Sequence, residues 1–212
     1  MGNLCIETAQ SLQELVAKTA STSTTLVRPR LYRRGFVHEI LDTVVLIGTI
    51  YALVNLVSAR FIVQGPSMEP NFSTGQFLIV SRINYLVAQP QRGDIIVFHY
   101  PGNPQEDYIK RVIGLPADVV AIREGRVYVN DVELDEPYIN EPCDLNHCQD
   151  GHWVLGVDQF FVMGDNRNHS SDSRAFGPIE RRYIVGEALI RYWPPSAWDV
   201  VAQIGYTNPS LP

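Results

Sequence analysis

Lysine is nearly missing from this chain. Of 17 basic residues, only Lys18 and Lys110 are lysines and the rest are arginines. Arginine carries surface charge but does not deprotonate in a protein, whereas lysine does when its surroundings disfavour the ammonium form. Lys110, alone after residue 18, is therefore singled out. A basic excess is missing too: 23 acidic residues leave a net charge of -6. That balance excludes a nucleic-acid partner, which needs a basic face to neutralise phosphates. Lys18, Arg28, Arg30, Arg33 and Arg34 all precede residue 39, so the remainder is more acidic still. Three cysteines are too few for a disulfide framework. Cys143 and Cys148 lie close enough to pair in an oxidising compartment. With His147 and His152 they also make a loosely spaced zinc pattern; the disulfide is the expectation, and no metal or cofactor is expected.

Long apolar runs are absent with one exception. Thr43 to Ala59 reads TVVLIGTIYALVNLVSA and carries no charge. Its length is at the short end for a membrane-spanning helix. Ile40 and Leu41 before it, and Phe61, Ile62 and Val63 after Arg60, extend the apolar length, with Arg60 snorkelling to the interface. Residues 39–60 are assigned as the anchor. The arginine excess ahead of it puts the N-terminus in the cytoplasm. Residues 1–38 read as a tail with a polar run at Ser21 to Thr25 and room for a short amphipathic helix at Leu12 to Ala20. Val57-Ser58-Ala59 resembles a small-residue cleavage site, but the leader is long for a removed signal peptide, so an uncleaved anchor is expected.

No long helical period follows residue 60. Short apolar runs bounded by turn residues predict strands at Gln76–Val80, Asp94–Phe98, Tyr108–Ile113, Val119–Ile122, Arg126–Val129, Gln159–Met163 and Tyr183–Tyr192. Arg123-Glu124-Gly125 marks a hairpin. The expected fold is all-β and mostly antiparallel, one β-rich domain over 61–212 preceded by one transmembrane helix, with 118–160 as an inserted β-hairpin subregion. Trp193, Trp198 and Tyr206 near the C-terminus are expected to be buried rather than to touch the bilayer surface.

Three polar constellations stand out. In Phe61-Ile-Val-Gln-Gly-Pro-Ser67-Met-Glu-Pro70, Ser67 follows a sharp Gly-Pro bend, where a hydroxyl is exposed beside free backbone N–H groups. In Asp107-Tyr-Ile-Lys110-Arg-Val-Ile-Gly114, strand alternation puts Lys110 on one face with Tyr108 and Val112. Burial among such neighbours pushes a lysine's pKa down and makes it a usable base. Met163-Gly-Asp-Asn-Arg-Asn-His-Ser170-Ser-Asp172-Ser-Arg174 is a dense polar loop able to build a hydrogen-bonded shell around a site.

In this order, after a membrane-length run, these segments resemble the type I signal peptidase family. The resemblance rests on Gly65-Pro-Ser67-Met-Glu-Pro70, Arg92-Gly-Asp-Ile-Ile-Val-Phe98, Tyr108-Ile-Lys110 through Asp118, and Gly164-Asp-Asn-Arg167 through Ser170 to Asp172-Ser-Arg174; it covers about residues 40–195. It implies a serine endopeptidase with Ser67 as nucleophile and Lys110 as base, orienting Ser170, and a supporting pair Asp172 and Arg174. It implies signal peptides of precursor proteins as substrates and a lipid bilayer as host, in a bacterial inner membrane or a thylakoid. By family position Phe61, Val63, Met68, Phe72 and Ile109 line the substrate pockets. Gly65 stands where some members carry a serine that completes the oxyanion hole. His169 offers a Ser-His-Asp alternative, but Lys110 already fits the base role. Two other readings are an inactive membrane-tethered scaffold and a self-cleaving Ser-Lys regulator; the latter needs a DNA-binding helix pair where residues 1–60 offer an anchor. Oligomeric state is not encoded in any of these features.

Overall fold

A computed structural model describes residues 35–202 and 204–206. The tail expectation for residues 1–34, including the helix at Leu12 to Ala20, lies outside them. The chain divides into two compact units, Met1–Leu46 and Ile47–Pro212. Helix α1 spans Phe36–Val57 and buries none of its residues. Among the described residues it is the one helix long and apolar enough to cross a membrane. At 1.5 Å per residue it is about 33 Å long, the thickness of a hydrocarbon core. Polar side chains in it and just past its end donate to its carbonyls: Thr43 Oγ1 to Glu39 O, Asn55 Nδ2 to Tyr51 O and Ser58 Oγ to Val54 O.

The helix starts three residues before the expected anchor and ends sooner. Ser58–Ile62 forms strand β1 and pairs with β2 (Phe77–Ser81) along its whole length. Phe61 and Ile62 therefore do not extend the span, and Val63 is buried in the β domain. Sheet pairing wins over continued helix here because β2 offers a complete antiparallel edge. Ser58 and Ala59 of the cleavage-like tripeptide sit opposite Ser81 and Val80.

The remaining elements are α2 (Asn84–Val87), β3 (Ile95–Tyr100), β4 (Asn103–Gly114), β5 (Val119–Arg123), β6 (Arg126–Val129), β7 (Val132–Glu133), β8 (Gly151–Val154), β9 (Gln159–Met163), α3 (Ser173–Phe176), β10 (Ile179–Glu180), β11 (Ile184–Trp193) and β12 (Asp199–Val200). An eight-stranded sheet runs β1-β2-β11-β3-β4-β9-β10, with β12 added to β11. Its strand pairs are antiparallel. Strand β3 is apolar without alternation because both its faces are covered. Ile95 and Val97 enter a cluster with Val63, Met68, Phe72 and Leu78, whereas Ile96 and Phe98 enter another with Val112, Phe160 and Val162.

The inserted subregion is larger than a hairpin. It is a four-stranded sheet, β7-β6-β5-β8. The expected turn holds: Glu124 and Gly125 both have positive φ, as a two-residue hairpin loop requires. Asn130 and Asp131 repeat that conformation between β6 and β7. Its apolar face packs with Ile113, Phe161 and Met163 of the large sheet. Trp193 and Trp198 are exposed, contrary to expectation, while Tyr206 packs against this cluster.

Candidate active site

Ser67 lies in the turn that leaves β1. Gly65 takes φ +84°, a conformation in which an L side chain is strained. Glu69 N donates to Pro66 O at 3.0 Å and Phe72 N to Met68 O at 2.8 Å, which closes the turn around the serine. The other side is held by Asn166 N, which donates to Ser67 O at 3.1 Å. Among the described residues the Ser67 N–H itself donates to no protein acceptor, so it is free to face an oxyanion.

Lys110 reaches the same point from β4, opposite Ile96 of β3. Its Nζ stands 2.8 Å from Ser67 Oγ, donates to Ile109 O at 2.9 Å, and sits 5.3 Å from the Tyr108 ring centroid. The residue is only 4% exposed. Burial disfavours its ammonium form and lowers its pKa to about 8; Asp172 and Asp165 pull the other way without prevailing. A neutral amine is thus accessible in mildly alkaline water.

The polar loop packs behind this pair. Gly164 leaves no room for a side chain: a Cβ there would lie 2.3 Å from Ser170 Oγ and 2.4 Å from Ser67 O. Its N–H donates to Asp172 Oδ2 at 3.0 Å. Arg174 grips the same carboxylate through Nε and Nη2, both at 2.7 Å. Burial alone raises the Asp172 pKa, but Arg174 and the Gly164 N–H outweigh it and hold the carboxyl below its ordinary value. The third Arg174 nitrogen, Nη1, donates to Arg167 O at 2.8 Å and lies against the disulfide that joins Cys143 to Cys148. Ser170 lies near enough to Asp172 to favour its charged form. Its buried Oγ nevertheless makes no hydrogen bond of ordinary geometry, to Lys110 or to any other described residue. His169 is exposed and faces the His147 ring.

Two further ion pairs fix the loop to the sheet. Arg111, which alternation turns away from Lys110, holds Asp165 with Nε and Nη2 at 2.8 and 2.7 Å while stacking on Tyr138. Arg167 pairs with Glu136 of the small-sheet segment. Neither pairing was visible in the sequence, because the partners are far apart along the chain. The only local hint was charge inside otherwise apolar surroundings.

Beside the Ser67–Lys110 pair opens a groove of about 610 Å³. Phe61, Val63 and Ile109 line it, together with Leu78, Val97 and Tyr108. Met68 and Phe72 do not: both are buried in the core behind it. Leu78 and Val97 were missed, although they are the cross-strand partners of Phe61 and Ile109. The groove runs between two open strand edges. Strand β1 ends the large sheet, and β4 is flanked by β9 only from Arg111 onward. An extended peptide can pair with such edges while its alternate side chains enter the groove.

A serine hydroxyl touching a buried amine beside an open groove fits a serine hydrolase. Comparison with known proteins narrows the class. Residues 36–193 match the family described as signal peptidase, peptidase S26. The chain is 44% identical over 143 residues to a signal peptidase I of Leptolyngbya laminosa, covering 64% of this chain and 68% of the relative. It is 35% identical over 179 residues to signal peptidase IB of Staphylococcus aureus strain COL, covering 74% of this chain and 91% of that one. A solved signal peptidase I from Enterococcus faecalis V583 shares 35% identity, with a TM-score of 0.42 across 47% of this chain and 97% of that chain. The chain belongs to the signal peptidase family, peptidase S26, and is a serine endopeptidase that removes signal peptides.

Proposed function

We propose that Ser67 and Lys110 form the catalytic dyad of this peptidase. The observation that carries the reading is the 2.8 Å contact between the Ser67 hydroxyl and the buried Lys110 amine. Neutral Lys110 takes the Ser67 proton as Oγ attacks the scissile carbonyl. The carbonyl oxygen becomes an oxyanion facing the Ser67 N–H. The resulting ammonium then gives its proton to the leaving amine, which departs with the mature protein. Lys110, neutral again, deprotonates a water that attacks the acyl-serine; as the acyl–Oγ bond breaks, the ammonium returns that proton to Ser67 Oγ and the signal peptide leaves. Asp172 and Arg174 are positioning residues: they hold the loop that packs Ser170 Oγ and Gly164 close behind Ser67.

Precursors are cut after small residues in an Ala-x-Ala pattern. A strand laid along β1 and β4 sends its first and third residues before the cut into the same groove, where Leu78, Val97 and Ile109 reject bulk by clash. Helix α1 anchors the enzyme in a bacterial inner membrane or a thylakoid membrane, with the N-terminus cytoplasmic and the catalytic domain on the exported side at the lipid surface. The test is cleavage of an Ala-x-Ala precursor by the detergent-solubilised full chain. Wild type cuts; Ser67→Ala and Lys110→Ala do not, while both keep the wild-type circular dichroism. Cleavage by either folded variant refutes the dyad.

A further inference from the structure

A second hollow, of about 650 Å³, opens where α1 gives way to β1. Its walls include Arg60, Arg82 and His99. Among the described arginines, Arg60 and Arg82 alone make no side-chain hydrogen bond and no ion pair. The others are committed to carboxylates or carbonyls, as with Arg92, Arg111, Arg123, Arg126, Arg167, Arg174, Arg181, Arg182 and Arg191. The one carboxylate on the hollow's wall, Asp107, is engaged by His99 Nδ1 at 2.7 Å. Ser58 and Asn55, also on the wall, spend their donors on helix carbonyls. Two guanidinium groups are left facing one cavity with nothing to neutralise them.

The position of the hollow says what does. Arg60 follows the last residue of α1 by three positions, and Arg82 N donates to the carbonyl of that last residue, Val57, at 2.9 Å. Immediately after Arg82 come Ile83, Leu86 and Val87, which are 44%, 81% and 85% exposed. An apolar turn beside the end of a membrane-length helix, with free cations between them, matches the layering of a lipid leaflet: hydrocarbon, then phosphate. Resting on the reading that α1 spans the bilayer, we propose that Arg60 and Arg82 bind the phosphate of an anionic lipid headgroup, with Ile83, Leu86 and Val87 dipping into the acyl boundary beside it. The hollow shares Phe61 and Asp107 with the substrate groove, so the bound headgroup stands next to the open end of that groove and fixes its height above the leaflet.

The test uses the full chain in detergent micelles doped with palmitoyl-oleoyl phosphatidylglycerol or, separately, palmitoyl-oleoyl phosphatidylcholine, with retained lipid counted by native mass spectrometry. Wild type keeps phosphatidylglycerol in preference to phosphatidylcholine. Arg60→Gln with Arg82→Gln weakens that retention about 25-fold, roughly five-fold for each guanidinium, whereas the paired lysine variants keep most of it. Millimolar inorganic phosphate does not displace the lipid. Equal retention of the two lipids, or retention unchanged in the glutamine variant, overturns the assignment; displacement by phosphate identifies a free-anion site and overturns it as well. Flotation of the full chain with phosphatidylcholine vesicles is the control for the anchor. A chain that fails to float refutes the spanning helix and the headgroup site together, while one that floats without lipid preference refutes the headgroup site alone.

Discussion

Replacing Lys110 with methionine should abolish cleavage and yet, at neutral pH, remove a source of instability. The side chain is 4% exposed and its pKa falls from 10.5 to about 8 because burial disfavours the charged form. Between those two values the unfolded chain binds a proton that the folded chain releases, so wild-type stability rises with pH across that window. Below about pH 8 the folded state carries the full penalty, about 3 kcal/mol at pH 7 by linkage. Methionine is of similar volume and carries no charge, so it escapes this penalty. It forfeits the amine's two hydrogen bonds, at about 1 kcal/mol each. The net gain at pH 7 is thus small, but its pH dependence is large. The stability difference between variant and wild type should fall by about 2–3 kcal/mol between pH 7 and pH 10. Urea titration of the detergent-solubilised proteins, followed by tryptophan fluorescence at several pH values, measures it. A difference that is constant with pH would show that Lys110 titrates as an exposed lysine does, and the reasoning for a neutral base would be lost.

Three further outcomes follow from the packing. Gly164→Ala places a methyl 2.3 Å from Ser170 Oγ and 2.4 Å from Ser67 O; the displaced nucleophile should cut kcat about 100-fold, and an unchanged kcat refutes the close approach. Asp172→Asn leaves the Arg174 guanidinium buried without its partner, which costs about 3–5 kcal/mol at neutral pH. Because the Asp172 pKa is depressed, its contribution is complete above about pH 4 and is lost as pH falls through the folded value, so the variant and wild-type denaturation midpoints should converge in acid. Val97→Phe crowds the groove floor and overpacks the core beneath it by about 1–3 kcal/mol, and kcat/KM for an Ala-x-Ala precursor should drop by about tenfold or more in the fraction that circular dichroism shows folded; equal turnover would remove Val97 from the specificity surface.

Much of the candidate site's geometry was legible because its signals are local. A serine after Gly65-Pro66 and a lysine in an apolar strand can be read from neighbours alone, and strand alternation predicted that Lys110 shares a face with Tyr108, over whose ring its amine sits. The hairpin at Glu124-Gly125 was legible from its turn residues, and the pairing of Cys143 with Cys148 from their proximity. What the chain could not reveal were choices settled by distant partners. Arg111 and Asp165 are 54 residues apart, and Arg167 and Glu136 are 31 apart. The end of α1 was misplaced because apolar residues suit helix and strand alike, and only β2 decides for strand at Phe61 and Ile62. Met68 and Phe72 follow Ser67 in an irregular turn, where no period tells groove from core; both lie in the core. Trp193 and Trp198 were expected inside on hydrophobicity alone and lie outside.

The central claim is that a neutral Lys110 amine removes the Ser67 proton, and the pH profile of kcat/KM tests it most directly. For an Ala-x-Ala precursor the profile should show a single acid limb that rises tenfold per pH unit and levels at an apparent pKa near 8. A rate that is flat from pH 6 to 9, or one that is lost only below pH 5, contradicts it.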